Sequence, residues 1–462
     1  MKHQPPRPRL VLAVVGAGTL LSTLAGSSIN LALPVIGREM GITVELSRWI
    51  VLAFMLMVAM LLLAAGKASD LWGHRAMYQS GFLVFGAGSL LCGLARPFSW
   101  LIVGRLLQGV GAAMNMSASP ALLTTSFPGA QRGRALGLLA TATYVGLTVG
   151  PPLGGLIIAS AGWRWIFFAN VPVALLMFIL GQRYLPRGER RAVRLDRPGL
   201  ATLMLGLPLV LLALTQGSEW GWSSSRTLGA ASAGFVLLLV FVRIELRRAD
   251  PLLDLSLFRS ATFAGAVISS FCNYVAIFVP IILMPFYLLE ALRLGPAHAG
   301  MLLGVMPLTM ALVTSPSGAL SDRVGTCGLS VTGLVLQALA LAGLGLVGLC
   351  VFGHCSTIHL GLWLALMGLG TGIFITPNSS ALMGSAPRSQ QGVAGGVMAL
   401  ARTTGMMTGV SLGTTVFRSL GGHTGGRWTT QTLHALAVAL VVAAAVALFG
   451  AVATGMRPRT SH

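Results

Sequence analysis

The chain has 462 residues, of which 55% are apolar and only 9% charged, with a mean hydropathy of +0.82. An ordinary soluble domain carries about 25% charged residues, so water is excluded as the main solvent. The formal charge of +20, from 31 Lys and Arg against 11 Asp and Glu, raises nucleic acid as a partner, and the distribution of those residues along the chain removes it.

A helix crossing a bilayer needs about 20 mostly apolar residues. Fourteen such runs are predicted, at 10–33, 49–66, 78–95, 99–123, 135–160, 165–185, 198–216, 227–244, 261–289, 298–317, 329–353, 358–384, 393–419 and 432–455. No ten-residue alternation of polar and apolar residues recurs, which sets aside a membrane barrel. Bundled helices remain, because lipid forces backbone groups to pair within the chain. The first run follows Lys2, Arg7 and Arg9 as in a signal peptide, but 24 apolar residues without a small-residue cleavage pattern predict a retained helix. With a cytoplasmic N-terminus, 21 basic residues fall in cytoplasmic segments, 8 outside and 2 within spans, so positive charge keeps to the inner face and both termini are expected there. The densest cluster, Arg183, Arg187, Arg190, Arg191, Arg194 and Arg197, lies between spans six and seven and would face anionic headgroups.

The loop after span two, Gly66-Lys-Ala-Ser-Asp70-Leu-Trp-Gly73-His-Arg75, is echoed after span ten by Gly318-Ala-Leu-Ser-Asp322-Arg323-Val-Gly325, both containing G-x-x-x-D-x-x-G. If each opens a half at its second helix, the organisation is an N-terminal six-helix bundle (1–185), a linker with two inserted helices (186–260) and a C-terminal six-helix bundle (261–462). Most of the 59 glycines read as close helix packing. Those in the two loops differ, because Asp70 and Arg75, or Asp322 and Arg323, beside tight turns can latch helices on the cytoplasmic face.

Acids and embedded cations are distributed unequally. None of the eleven acids falls near the middle of a span, whereas Arg105 lies in span four and Arg402 in span thirteen. Partners for these cations are Gln108, backbone carbonyls, water or substrate. Amides at plausible cavity depth are Asn30, Asn115, Asn273, Gln337, Asn378 and Gln391, with Asn30 and Asn378 the preferred substrate contacts. This pattern predicts a neutral or anionic amphipathic substrate. Five scattered cysteines imply no disulfide framework. Cys350, His354, Cys355 and His359 offer only two i, i+4 pairs and no zinc signature, so no metal is expected. No cofactor is expected either: there is no nucleophile elbow, phosphate loop or paired catalytic carboxylate, so an enzyme is not expected.

Further motifs point to a family. Leu101-Ile-Val-Gly-Arg105-Leu-Leu-Gln108-Gly-Val-Gly111 lies in span four, and Gly146-Leu-Thr-Val-Gly150-Pro151-Pro152-Leu-Gly154-Gly155 in span five. Trp163-Arg164-Trp165-Ile-Phe-Phe-Ala-Asn170-Val-Pro172 enters span six, and Pro251-Leu-Leu-Asp254-Leu-Ser-Leu-Phe258 precedes span nine. With the Gly66–Arg75 loop, these resemble the motifs of the major facilitator superfamily, specifically its fourteen-helix drug:proton antiporters, over nearly the whole chain. The resemblance implies an all-α membrane fold of two pseudo-symmetric six-helix bundles plus two inserted helices, working by alternating access. It implies that span five is a seam between the halves. Glycines give that span a smooth face, and Pro151 and Pro152 remove backbone donors and bend it.

One position departs from the family. Its first helix usually reads L-D-x-T-x-x-N-x-A-L-P, and here the acid is replaced by Ala25. A membrane carboxylate usually serves a cation or proton, so a candidate carrier is lost. The resemblance still implies proton coupling, for which Glu290, His298, Asp70 and Asp322 are the titratable candidates. It also allows Arg105 to be a brace. The expected function is export of drugs or amphipathic metabolites from a bacterial cytoplasmic membrane by a monomer surrounded by lipid. Alternatives are a lipid or fatty-acid transporter of the same fold, and a non-transporting receptor or scaffold.

Overall fold

The computed structural model describes residues 8–127, 129–186, 197–221, 223–247, 255–349, 357–387, 391–423 and 428–457. Among them there is no strand. In chain order the helices are α1 (Pro8–Met40), α2 (Val44–Trp72), α3 (His74–Leu94), α4 (Phe98–Ser126), α5 (Gly129–Ala161), α6 (Arg164–Phe168), α7 (Asn170–Tyr184), α8 (Arg197–Trp220) and α9 (Ser225–Glu245). They continue with α10 (Ala261–Phe286), α11 (Pro296–Val324), α12 (Thr326–Leu349), α13 (Thr357–Gly384), α14 (Gln391–Ser419) and α15 (Thr430–Gly455). A 3₁₀ turn (Leu255–Arg259) precedes α10 and a π turn (Tyr287–Ala291) follows it.

The short α6 and α7 together fill the one span expected at 165–185. The break has a chemical cause: Pro172 has no N–H for the Phe168 carbonyl, and its ring crowds that oxygen, so the first segment stops at Phe168. Among the described residues, ten helices are long and apolar enough to cross a membrane, and parts of α2 and α8 form shorter apolar stretches. The helices α4 and α14, which carry Arg105 and Arg402 in their interiors, are not among the ten.

The chain divides into two compact units. Unit 1 comprises Met1–Ile42, Trp49–Leu195 and Gly295–Gly304, and unit 2 comprises Thr43–Arg48, Asp196–Leu294 and Val305–His462. The inserted hairpin α8–α9 thus belongs with unit 2, where α8 also touches α14. Within unit 1, α1 packs on α5 and α3 on α4; within unit 2, α10 packs on α14 and α12 on α13. The core of unit 1 centres on Tyr78 and Phe82, whose rings meet edge to face 4.9 Å apart, with the Tyr78 hydroxyl donating to the Val14 carbonyl at 3.1 Å. Large apolar side chains such as Trp72, Leu312 and Phe449 are exposed, as suits a surface bathed in hydrocarbon.

The two echoed loops end alike. Gly73 has φ +95° and Gly325 φ +88°, so each motif's last glycine adopts the left-handed conformation that closes one helix and starts the next.

Candidate functional site

The expected site residues divide between the units: Asn30, Arg105, Gln108 and Asn115 lie in unit 1, and Asn273, Asn378 and Arg402 in unit 2.

In unit 1, Arg105 is fully enclosed. Its Nε donates to the Ile50 carbonyl at 2.6 Å, its Nη1 to Gln108 Oε1 at 2.8 Å, and its guanidinium stacks over Phe54 at 4.5 Å. Gln108 Nε2 in turn donates to Ser89 Oγ at 2.6 Å, and Ser89 Oγ to the Phe85 carbonyl at 2.8 Å. The chain of bonds fastens α2, α3 and α4 around one cation. Asn115 is 6% exposed, and neither its Oδ1 nor its Nδ2 has a partner among the described residues. Asn30 is half-buried on α1.

Beside Asn30 lies the seam of α1 with α5. Ser27 Oγ donates to the Gly146 carbonyl at 3.3 Å and Ser28 Oγ to the Gly150 carbonyl at 2.8 Å. A methyl at Gly146 would sit 2.5 Å from the Leu20 carbonyl, one at Gly150 would overlap Ser27 Oγ, and one at Gly154 would be 2.8 Å from Ser28 Cβ. Three of the motif's glycines therefore face α1. Pro151, Pro152 and Gly155 turn to the first turns of α11, which group with this unit: Gly155 meets the Pro296 carbonyl, the Pro151 carbonyl meets Gly300, and Pro152 meets Gly304.

In unit 2, Asn378 Nδ2 donates to the Ala266 carbonyl at 3.0 Å, while its Oδ1 accepts from Ser269 Oγ at 3.1 Å and from Arg457 Nη2 at 2.6 Å. Asn273 is fully buried; Gln337 Nε2 donates to its backbone carbonyl at 3.4 Å, and its own side-chain amide has no partner among the described residues. Thr371 faces the same region. It lies two turns before Asn378 on α13, Asn273 lies one turn after Ser269 on α10, and Thr371 Oγ1 and Gln337 Oε1 are likewise buried without partners. Arg402, half-buried on α14, approaches the Tyr274 hydroxyl of α10.

Each acid that falls in a helix lies within three residues of its end: Glu39 in α1, Glu45 and Asp70 in α2, Glu219 in α8, Glu245 in α9, Glu290 in the π turn and Asp322 in α11. Two of them form matching clamps. Glu39 accepts from Trp163 Nε1 at 2.7 Å and pairs with Arg164; Glu290 accepts from Trp428 Nε1 at 3.2 Å. His298 is exposed in the first turns of α11. Gly66 and Gly73 bound the last turns of α2. Arg75 Nη2 donates to the Gln182 carbonyl, tying α3 to α7. Arg323 is exposed. The side chains of Asp70 and Asp322, and residues 350–356 of the Cys and His cluster, lie outside the described residues.

Sequence reasoning missed three features. Arg48, counted as an outer-loop residue, is 1% exposed and donates to Thr414 Oγ1 at 3.0 Å and Gln216 Oε1 at 3.1 Å. Arg457, counted as a cytoplasmic tail, is 4% exposed. A second glycine ladder, Gly405, Gly409 and Gly413 on α14, rests on Phe271, Val275 and Val279 of α10; its four-residue spacing was the available signal.

Comparison with known proteins bears on the whole chain. The pattern of the Major Facilitator Superfamily matches residues 15–409 and also 266–461. The riboflavin transporter RibZ of Clostridioides difficile is 31% identical over 89% of this chain and 87% of its own length. The multidrug resistance protein Stp of Mycobacterium tuberculosis is 30% identical over 87% of this chain and 74% of its own. Among solved structures, a POT family transporter in complex with 5-aminolevulinic acid superposes with a TM-score of 0.73 at 15% identity, covering 97% of this chain and 95% of that one.

Proposed function

Because this chain belongs to the Major Facilitator Superfamily, a family of membrane transporters, we propose that it is a secondary active exporter of neutral or anionic amphipathic drugs and metabolites, driven by protons. Relatives named for riboflavin transport and multidrug resistance support the substrate class.

One observation carries the charge preference. Every acid in a helix lies at its end, while Arg105 and Arg402 lie well inside α4 and α14. In a low-dielectric interior an unopposed guanidinium repels an organic cation and attracts an anion. Arg105 is already engaged with Ile50 and Gln108, so Arg402 bears the substrate and Arg105 braces its unit. Asn30, Asn115 and Asn273 supply neutral hydrogen bonds, the last two having amides free for a ligand.

Alternating access proceeds by movement of the two compact units, and the Gly73 and Gly325 turns with Asp70, Arg75, Asp322 and Arg323 latch the cytoplasmic side. With Ala25 in place of an acid, proton transfer falls to Glu290 and His298. The protein works as a monomer in a bacterial cytoplasmic membrane with both termini inside.

The test is a proteoliposome panel of cationic, neutral and anionic amphiphiles, each run with and without a pH gradient. Neutral and anionic compounds should move, faster with the gradient. Extrusion of a lipophilic monocation as fast as any anion would overturn the charge argument, and indifference to the gradient would overturn the coupling.

A further inference from the structure

The transport scheme gives Arg402 the substrate without naming the chemical group it would hold. The surroundings of Arg402 within unit 2 narrow the choice. Arg402 stands in the interior of α14, and one turn later Gly405 brings that helix against α10: a methyl there would lie 3.0 Å from Tyr274 Cβ and 2.7 Å from the Phe271 carbonyl. Gly409 continues the approach, its methyl position 2.5 Å from the Val275 carbonyl. This close packing sets the Tyr274 ring beside Arg402, whose guanidinium reaches the phenol. Both side chains are half-buried, so unlike Arg105, which is 3% exposed, they keep surface that a ligand can touch.

A guanidinium has no acceptor, so in this pair it donates and the phenol oxygen accepts. The hydrogen of the phenol is then directed elsewhere, and the neighbouring cation polarises it as a donor. Arg402 carries five N–H groups, more than one phenol oxygen can take, and among the described residues no carboxylate pairs with it. The pair therefore offers a flat fork of donors, one hydroxyl donor and one positive charge. Residues four apart on a helix share a face, and on α14 the half-buried neighbours one turn to either side of Arg402 are Met398 and Met406. Thioethers adapt to varied apolar shapes and donate no hydrogen bond.

We propose that unit 2 binds its substrate by a carboxylate, which accepts from Arg402 and from the Tyr274 hydroxyl while the apolar body rests on Met398 and Met406. This rests on the transport reading of Arg402 and narrows it from anions in general to monocarboxylates. A carboxylate brings one charge and two oxygens in a plane, which the fork and the hydroxyl satisfy together. A sulfonate brings a third oxygen and a phosphate a second charge, for which the two methionines offer nothing. A neutral amide of the same shape sets its own NH₂ against these donors.

The experiment uses the full chain purified in detergent and equilibrium dialysis of three probes that share one body: naphthylacetate, naphthylacetamide and naphthylmethanesulfonate. Naphthylacetate should bind most tightly. Tyr274→Phe, which deletes only the hydroxyl, should lower the acid-to-amide binding ratio about tenfold, the scale of one hydrogen bond to a charged group. R402Q should bring the ratio close to unity, and R402K, which keeps the charge without the fork, should fall between. An acid that binds no more tightly than the amide or the sulfonate, or a ratio that Tyr274→Phe leaves unchanged, would overturn the proposal. If the Arg402 variants do not accumulate, Tyr274→Phe decides alone. Vesicle transport of the same probes separates the two readings. Acid and amide moved equally well would keep the exporter and reject the carboxylate site, whereas preferential binding of the acid without movement of any probe would keep the site and reject export.

Discussion

In unit 1, α5 lies against α1 through Gly146, Gly150 and Gly154, and in unit 2, α14 lies against α10 through Gly405, Gly409 and Gly413. Both ladders repeat every four residues, and both let backbones meet where a methyl would not fit. They differ in what secures them. Unit 1 adds Ser27 and Ser28, whose hydroxyls reach carbonyls on α5, whereas unit 2 sets Phe271, Val275 and Val279 against its glycines. Helix α5 also contains Pro151 and Pro152, neither of which has an N–H to give to the helix, while α14 has no proline. The unit 1 seam is therefore the more pliable: α5 lacks two helical donors at Pro151 and Pro152, and its bonds from Ser27 and Ser28 can be exchanged as the helix bends. The unit 2 seam is closed by packing along its glycines, with Arg402 of α14 meeting the Tyr274 hydroxyl of α10.

The buried cations extend the contrast, and they set the largest expected effect. Arg105 is engaged through Nε and Nη1, so Arg105→Ala removes the bonds that tie α2 to α4 around the cation and opens a buried cavity. A cost of about 2–5 kcal/mol is expected for emptying such a buried site. Arg457→Gln removes a cation with two nitrogens idle and costs less. Thermal unfolding of both variants in the same lipid-depleted detergent checks the order; a smaller loss for Arg105→Ala than for Arg457→Gln would show that the unit 1 network is not a brace.

Smaller, and more direct, is the pair Gly409→Ala and Gly150→Ala. The new methyl at 409 lies 2.5 Å from the Val275 carbonyl and 2.9 Å from Phe278 Cβ, which are backbone and branch point and cannot step aside. At 150 the main obstacle is the Ser27 hydroxyl, which can rotate. Overpacking costs of about 1–3 kcal/mol are expected, with Gly409→Ala at the upper end and Gly150→Ala at the lower. Equal loss of unfolding temperature in the two variants would mean that the seams are equally stiff.

The general architecture was legible because lipid leaves so few options: once water is excluded and no ten-residue alternation recurs, long apolar runs must be helices. The break between α6 and α7 was legible in principle from Pro172. What escaped was set by contacts distant in sequence. Arg48 stands one residue before an apolar run and Arg457 two residues past α15, where a basic residue ordinarily meets headgroups; nothing local shows that Thr414 or Asn378 waits for it. Asn378 was preferred as a substrate contact for its depth and polarity; it is buried, and its amide is committed to Ala266, Ser269 and Arg457. The α14 ladder was hidden by abundance, since among 59 glycines a three-member repeat does not stand out.

The smallest expected effect tests the pliable seam itself. Ser27→Ala and Ser28→Ala each delete a bond to α5 while keeping the small side chain that the glycines require. Interhelical hydrogen bonds in membranes are worth about 0.6 kcal/mol on average, so each variant should unfold only slightly earlier. Ser28→Ala should show the larger change, its 2.8 Å bond being shorter than the 3.3 Å bond of Ser27. Both hydroxyls also have a fallback acceptor in the Leu24 carbonyl of their own helix, at 2.8 Å from Ser28 and 3.1 Å from Ser27, so they can release α5 without being stranded. If bending of α5 accompanies transport, the double variant should alter the transport rate by more than its stability loss accounts for, measured in vesicles with a substrate that the unaltered chain moves. A rate unchanged within error would mean that α1 and α5 move as one body and that the bend at Pro151 and Pro152 is static.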